Sequence, residues 1–172
     1  TVTRGEEHYG HALLSRYPIE IVKRARLPHD ATSWWQEPRS AIWARVDVDG
    51  QNVNVITTHL GLGARERVEQ VKALLGPEWI GGIPAEEPVI LCGDFNALPG
   101  SAPYRLASAR LLDVQAAKGG YRPVGTFSSV QPLVRLDHIF ISPHIERERA
   151  FVVRNDLTRV TCLLYTSDAA DE

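Results

Sequence analysis

The sequence contains no methionine, only two cysteines, no long hydrophobic run and no excess of basic residues. Each of these shortages excludes something. Cys92 and Cys162 are too few for a disulfide framework, and Cys92, inside an apolar segment, reads as a small core residue. A membrane-crossing helix needs roughly 20 consecutive apolar residues, and no run here approaches that length. Lys and Arg number 19 against 21 Asp and Glu, a formal net charge of −2 at pH 7. A chain so balanced does not hold a polyanion through bulk charge, so nucleic-acid contact would need a local basic patch. Arg39, Arg65 and Arg67 are the candidates for one. Met is missing even at position 1, the opening Thr1-Val2-Thr3-Arg4-Gly5-Glu6-Glu7-His8 is polar, and the first apolar run comes only at Ala12. This reads as an internal segment of a longer protein, so the lack of a visible secretory leader excludes nothing.

What is present is an ordinary globular composition, 44% hydrophobic, in 172 residues, which gives room for one domain and one sizeable core. Ala12–Ser15 reads as a short strand stopped by Tyr17-Pro18, and residues 19–33, with mixed charge and Pro28, as an irregular excursion. Ile42, Ala44, Val46 and Val48 then alternate with polar or bulky neighbours, as do Val53, Val55 and Thr57, with Asp49-Gly50 between the two runs. Period-two alternation on either side of Asp-Gly predicts a β-hairpin. Val68, Val71, Leu74 and Leu75 recur at helical spacing over 64–75, and Gly76-Pro77 ends that pattern. Pro88-Val89-Ile90-Leu91-Cys92 is a continuous apolar run of strand length, the mark of a strand covered on both faces. Ser101 ahead of Pro103 predicts the start of a second, shorter helix. Leu136–Ser142 and Phe151–Val153 read as further strands. Hairpins mixed with strand–helix–strand connections predict sheets covered by helices, an α/β architecture.

Polar residues gather where these strands end. Asp94 and Asn96 follow the buried strand and, two apart in extended chain, would point to one side. A carboxylate and an amide there offer hard oxygen ligands, a general base, or a donor to a phosphoryl oxygen. An isolated Asp-x-Asn is more often a turn that caps a strand. His59 also ends a strand, and Glu37 precedes Pro38 where the other hairpin arm begins. Because the Asp49-Gly50 turn lies nearly midway between them, Glu37 and His59 fall at the same open end, where the carboxylate can orient the imidazole. The alternative is a surface ion pair worth about 0–1 kcal/mol. Asp137 enters the apolar strand Leu136-Asp137-His138-Ile139-Phe140-Ile141 and needs a partner or a function. Its neighbour His138 should point to the opposite face, so that partner lies elsewhere.

Taken in order, Tyr9-Gly10-His11-Ala12-Leu13-Leu14-Ser15-Arg16, Glu37-Pro38-Arg39, Thr58-His59-Leu60-Gly61, Gly93-Asp94-Phe95-Asn96, Thr126-Phe127 and Arg135-Leu136-Asp137-His138-Ile139 resemble the endonuclease/exonuclease/phosphatase superfamily. Each stretch alone is weak; G-D-F-N after a buried strand, with T-H-L-G upstream and R-L-D-H-I downstream, is specific. The resemblance implies a four-layer α/β sandwich, two mostly antiparallel mixed sheets flanked by helices, incomplete here at both termini. It implies hydrolysis of phosphodiester or phosphomonoester bonds by activated water, with Mg²⁺ as cofactor and Mn²⁺ as a substitute. In its terms Asp94 aligns or deprotonates water, Asn96 contacts the scissile phosphate, and both count as metal-site residues. His59 corresponds to one of two histidines near the phosphate, Glu37 to the carboxylate paired with it, and Asp137 to the carboxylate that orients the second histidine. His11 stands where relatives carry Asn and is left out of the site.

Two elements of the pattern have no counterpart: the Glu that is the main Mg²⁺ ligand, since Glu6 and Glu7 follow no evident strand, and the terminal Ser-Asp-His, because Ser167-Asp168 is followed by Ala169. The expected organisation is therefore a partial domain over 1–160 and a non-native tail over 161–172, in a monomeric, aggregation-prone chain that lacks turnover by itself. The cytoplasm is the favoured compartment. A nucleic acid is one phosphodiester partner consistent with this pattern. A lipid or small-molecule phosphodiesterase is the alternative among enzymes, and a non-catalytic phosphate-binding fragment the alternative outside them.

Overall fold

The structure is a computed structural model that describes residues 2–4, 7–9, 12–29, 37–116, 123–127, 131–153 and 155. The proposed tail, His11 and Ser167-Asp168 lie outside the described residues. The elements run β1 (Val2–Arg4), β2 (Glu7–Tyr9), β3 (Ile19–Arg26), β4 (Ser40–Val48), β5 (Gln51–His59), α1 (Ala64–Leu75), a 3-10 turn (Ile80–Gly82), β6 (Val89–Asp94), α2 (Ala102–Ser108), β7 (Leu112–Asp113) and β8 (Asp137–Ile141). β1 and β2 form a two-stranded antiparallel pair. The other strands form one six-stranded sheet in the order β3-β4-β5-β6-β8-β7. This is the expected mixed α/β architecture.

The β4–β5 hairpin forms as its alternation predicts. Asp49 and Gly50 take φ of 53° and 87°, the pair of left-handed residues that a tight hairpin turn requires. Asp47 accepts the Gly50 N–H at 2.8 Å, and the ladder runs in register from Val48↔Gln51 to Ala41↔Thr58. β5 and β6 are parallel, so the chain must cross back between them, and α1 with the 3-10 turn makes that crossover. α1 spans Ala64–Leu75 and stops at Gly76, whose N–H bonds the Ala73 carbonyl at 3.0 Å.

The core lies on the helix side of the sheet. Ala41, Ile56, Leu91 and Phe140 pack there with Val71 and Leu74 of α1, Trp79, Ile80, Phe95 and Ala107 of α2. Each fully buried side chain of Val or Leu size contributes roughly 1.5–3 kcal/mol, so Val71 and Leu74 are the main apolar anchors of α1 on the sheet. The opposite face carries Ile42, Val55, Ile90, Cys92 and Ile139, all half-buried.

Four local expectations need correction. Ala12–Ser15 forms no strand, and the stretch read as an irregular excursion contains the eight-residue β3. β3 is an edge strand, exposed along most of its length, with a register irregularity between Ile21 and Lys23. Such an edge needs no clean alternation, and its charges protect it from further pairing. Phe151–Val153 forms no strand. Finally, β1 precedes Glu6 and Glu7, where no strand was evident.

Candidate active site

Three side chains on three adjacent strands are brought into one row. His59 ends β5 and pairs in register with Asp94 at the end of β6. Asp94 in turn pairs with Asp137 at the start of β8. Register partners on neighbouring strands project to the same face, so an imidazole and two carboxylates share the sheet face opposite the helices. His59 Nε2 is 3.4 Å from Asp94 Oδ2.

The approach of the strands here depends on Gly93, which has φ of 136°. A Cβ at that position would lie 1.9 Å from the Thr58 carbonyl oxygen. No other residue permits β5 and β6 to close at this point, which is the physical reason for glycine before Asp94.

Beyond Asp94 the chain turns instead of continuing extended. Asn96 has φ of 47°, in the left-handed region that Asn tolerates better than most residues. Asp94 Oδ1 accepts the Asn96 N–H at 2.8 Å, an Asx turn, so the capping reading and the site reading of Asp-x-Asn hold together. Asn96 Nδ2 donates to the Leu60 carbonyl at 2.9 Å, and Leu60 N donates to the Asp94 carbonyl at 2.8 Å. Asp94, Asn96 and the residue after His59 are thus tied into one knot, with the amide nitrogen of Asn96 engaged.

Asp137 is set by the segment leading into it. The buried Thr126 hydroxyl oxygen accepts the N–H groups of Leu136 at 3.1 Å and Asp137 at 3.2 Å. Arg135, just upstream, makes a bidentate buried pair with Asp113 at 3.1 and 2.6 Å. Tyr104 and the Gln115 N–H also donate to that carboxylate, at 2.6 and 2.9 Å. Burial would raise the Asp113 carboxyl, but the Arg135 and Tyr104 hydrogen bonds outweigh it and hold the group below the usual carboxylate range.

Electrostatics within the row are uneven. Burial, reinforced by the neighbouring Asp94 and opposed by the Thr126 hydroxyl, pushes Asp137 up to about 6. Its Oδ2 is buried without a hydrogen-bond partner. Burial also lowers His59, with Arg39 acting in the same direction and Asp94 and Glu37 against it. His138 points to the opposite face, as alternation requires, into an aromatic cluster of Phe95, Tyr104 and Phe140. Its Nε2 bonds the Ala97 carbonyl at 2.8 Å, and burial pushes its pKa down to about 4.

Glu37 lies on the same open end but is exposed, and its only resolved link to His59 is electrostatic. The imidazole takes Asp94, not Glu37, as its close carboxylate. For a divalent cation, the row offers two neighbouring carboxylates on one face, one with an orphaned buried oxygen, and the turn beside it the Asn96 amide oxygen; hard oxygens of this kind suit Mg²⁺. Among the described residues no group of three His, Cys, Asp or Glu side chains closes around one point. The fit is therefore to a cation held by part of a ligand set.

The sequence reading passed over Glu66 and Gln70 of α1. Both are buried, and Gln70 bonds the Gly61 N–H at 2.9 Å, two residues past His59. Glu66, Gln70 and Leu74 continue one stripe at four-residue spacing, a signal hidden because two of the three are polar.

Comparison with known proteins points to one family. The family model described as Endonuclease/Exonuclease/phosphatase family matches residues 2–168. Protein YbhP of Escherichia coli K12 is 35% identical over 138 residues, which cover 79% of this chain and 52% of the relative. The chain thus spans about half the length of the curated relatives it matches. Similar solved structures include an endonuclease/exonuclease/phosphatase family protein of Bacteroides thetaiotaomicron, with TM-score 0.55, 24% identity and coverage of 73% of this chain and 52% of that one. The human Nocturnin catalytic domain, with a bound sulfate anion, aligns with TM-score 0.54 and 24% identity over 73% of this chain and 49% of its own. The family model covers nearly the whole chain, and relative and fold point the same way: the chain belongs to the endonuclease/exonuclease/phosphatase family.

Proposed function

We propose that this chain carries part of the active site of a metal-dependent phosphoesterase that hydrolyses phosphodiester bonds with activated water. The observation that supports this most is the row His59–Asp94–Asp137, with Asn96 knotted to its centre. Asp94 is the group placed to orient or deprotonate the attacking water. Asn96, its nitrogen engaged by Leu60, keeps its remaining amide capacity for the phosphoryl group or a cation. His59, lowered by burial and therefore ready to act as a neutral acceptor or to gain a proton, stabilises charge on the leaving side. Glu37 supports it electrostatically from the rim, and Asp137 supplies a second carboxylate. Mg²⁺ held by Asp94 and Asn96 would polarise a phosphoryl oxygen; Mn²⁺ has the same oxygen preference.

Nucleic acid, lipid and small phosphoesters remain the substrate classes, and one observation favours the smaller ones. A net charge of −2 gives no general attraction for a polyanion. The test is hydrolysis of bis(p-nitrophenyl) phosphate by the protein carrying this chain, with Mg²⁺ saturating and then chelated. Asp94→Ala should lower kcat at least 100-fold and chelation should abolish turnover. Activity within a few-fold of the parent in Asp94→Ala would sink the assignment.

A further inference from the structure

We propose that Gln70 is a positioning residue that sets the orientation of the Asn96 side-chain amide through the single peptide unit Leu60–Gly61. The inference rests on the proposed function only in that Asn96 serves the site. Leu60 C=O and Gly61 N–H belong to one planar group and point in opposite directions. On one side the carbonyl accepts Asn96 Nδ2 at 2.9 Å. On the other the N–H donates to Gln70 Oε1 at 2.9 Å. A rotation of this peptide would therefore break both bonds together, and would confront the Asn96 NH₂ with another N–H.

The orientation of Gln70 is itself determined. Its Nε2 donates to the Pro28 carbonyl at 3.1 Å and to Glu66 Oε1 at 3.1 Å. Both partners are pure acceptors, so the nitrogen must face them and the oxygen must face Gly61. Gln70 is fully buried, so a lost partner would leave a buried polar group unsatisfied. Arg67, one turn away on α1, further secures the loop by donating to the Gly61 and Leu62 carbonyls. The consequence reaches the site: once Leu60 holds one N–H of Nδ2, the Asn96 amide keeps its Oδ1 and its second N–H in one fixed orientation. Bonds in such a chain also polarise one another. Gln70 touches neither substrate nor cation; it fixes the orientation in which they meet the Asn96 amide.

The test reads the Asn96 side-chain amide directly by ¹⁵N NMR hydrogen exchange in the 172-residue chain. The Trp43 Nε1–H, bonded to Asn54 Oδ1 at 3.0 Å, serves as a reference elsewhere in the sheet. Gln70→Leu should speed exchange of the Asn96 Nδ2 protons at least tenfold while Trp43 is unchanged. Gln70→Glu should do the same, since its carboxylate would face Glu66. Combining Gln70→Glu with Glu66→Gln returns the donor–acceptor pair between the two side chains but leaves the Pro28 carbonyl without its donor, so exchange should slow at least threefold relative to Gln70→Glu alone without reaching the parent rate. Unchanged Asn96 exchange in Gln70→Leu overturns the proposal. So does equal acceleration of Asn96 and Trp43, or a folded swap variant in which Asn96 exchanges as fast as in Gln70→Glu. Should Gln70→Leu not fold, the comparison of Gln70→Glu with the swap decides alone, and failure of all three to fold makes Gln70 a purely structural residue. None of these readouts needs turnover, so they stand or fall apart from the hydrolysis test.

Discussion

Asp137 and His138 are neighbours in β8 with opposite surroundings, and their titrations should pull the stability of the chain in opposite directions. Consider His138 first. In the unfolded chain it gains a proton below about 6.5, whereas the buried ring stays neutral down to about 4. Between those values the unfolded state binds more protons, so His138 makes stability fall as pH drops. Asp137 behaves inversely. The folded carboxyl keeps its proton up to about 6 and the unfolded one releases it near 3.8. The folded state binds more protons in that window, so Asp137 makes stability fall as pH rises. Each span of two or more pH units, at about 1.4 kcal/mol per unit, amounts to about 3 kcal/mol. In the parent chain the two contributions oppose each other between pH 4 and 6 and largely conceal one another. Urea denaturation from pH 4 to 7 in EDTA, so that no divalent ion acts on Asp94, should uncover them. Relative to the parent, Asp137→Asn should gain about 3 kcal/mol across this range as pH rises, and His138→Phe should lose about 3 kcal/mol. His138→Phe also leaves the Ala97 carbonyl without its donor, which costs roughly 1–3 kcal/mol at every pH and does not alter the slope. Stability curves for both variants that run parallel to the parent would refute the reasoning.

Other consequences are simpler to read. Gly93→Ala forces a methyl into the Thr58 carbonyl at a positive φ, so a loss of about 3 kcal/mol or more is expected in chemical denaturation. Asp113→Ala strands the Arg135 guanidinium in the interior and should cost about 3–5 kcal/mol, while Asp113→Leu with Arg135→Met should recover only part of the loss, because the Tyr104 hydroxyl and the Gln115 N–H still lack their acceptor, measured as urea midpoints. Burial pushes the Cys92 thiol up to about 11, so in a Cys162→Ser background its labelling at pH 8 should be at least tenfold slower in the folded chain than in urea.

The parts of the fold that sequence made legible are those where one physical signal dominates. The β4–β5 hairpin has alternation and an Asp-Gly turn in agreement, and α1 has a helical stripe closed by Gly76-Pro77; both form where expected. β3 was missed because an exposed edge strand has no face to bury and so no alternation to show. For the site, the strand ends at His59 and Asp94 were evident, but their register was not, since which strands neighbour each other is a property of the whole sheet. The turn at Asn96 was misjudged as extended chain because a left-handed residue interrupts the strand geometry that the spacing assumes. Gln70 escaped because a buried amide on an apolar stripe looks, in sequence, like a break in the stripe. Its partners are backbone groups, which leave no trace in residue identities.

The ladder between β6 and β8 has a consequence beyond the placement of the row. Side chains alternate faces, so a slip of β8 by one position would exchange Asp137 for His138. The carboxylate would then enter the space against Phe95 and Tyr104 and face the Ala97 carbonyl, an acceptor, while the imidazole would lose that carbonyl and Phe140 would leave the core with the rest of its strand face. Two neighbouring residues of contrary chemistry thus act as a proofreading device for strand pairing: the wrong alignment is penalised at both positions at once, before any substrate is met.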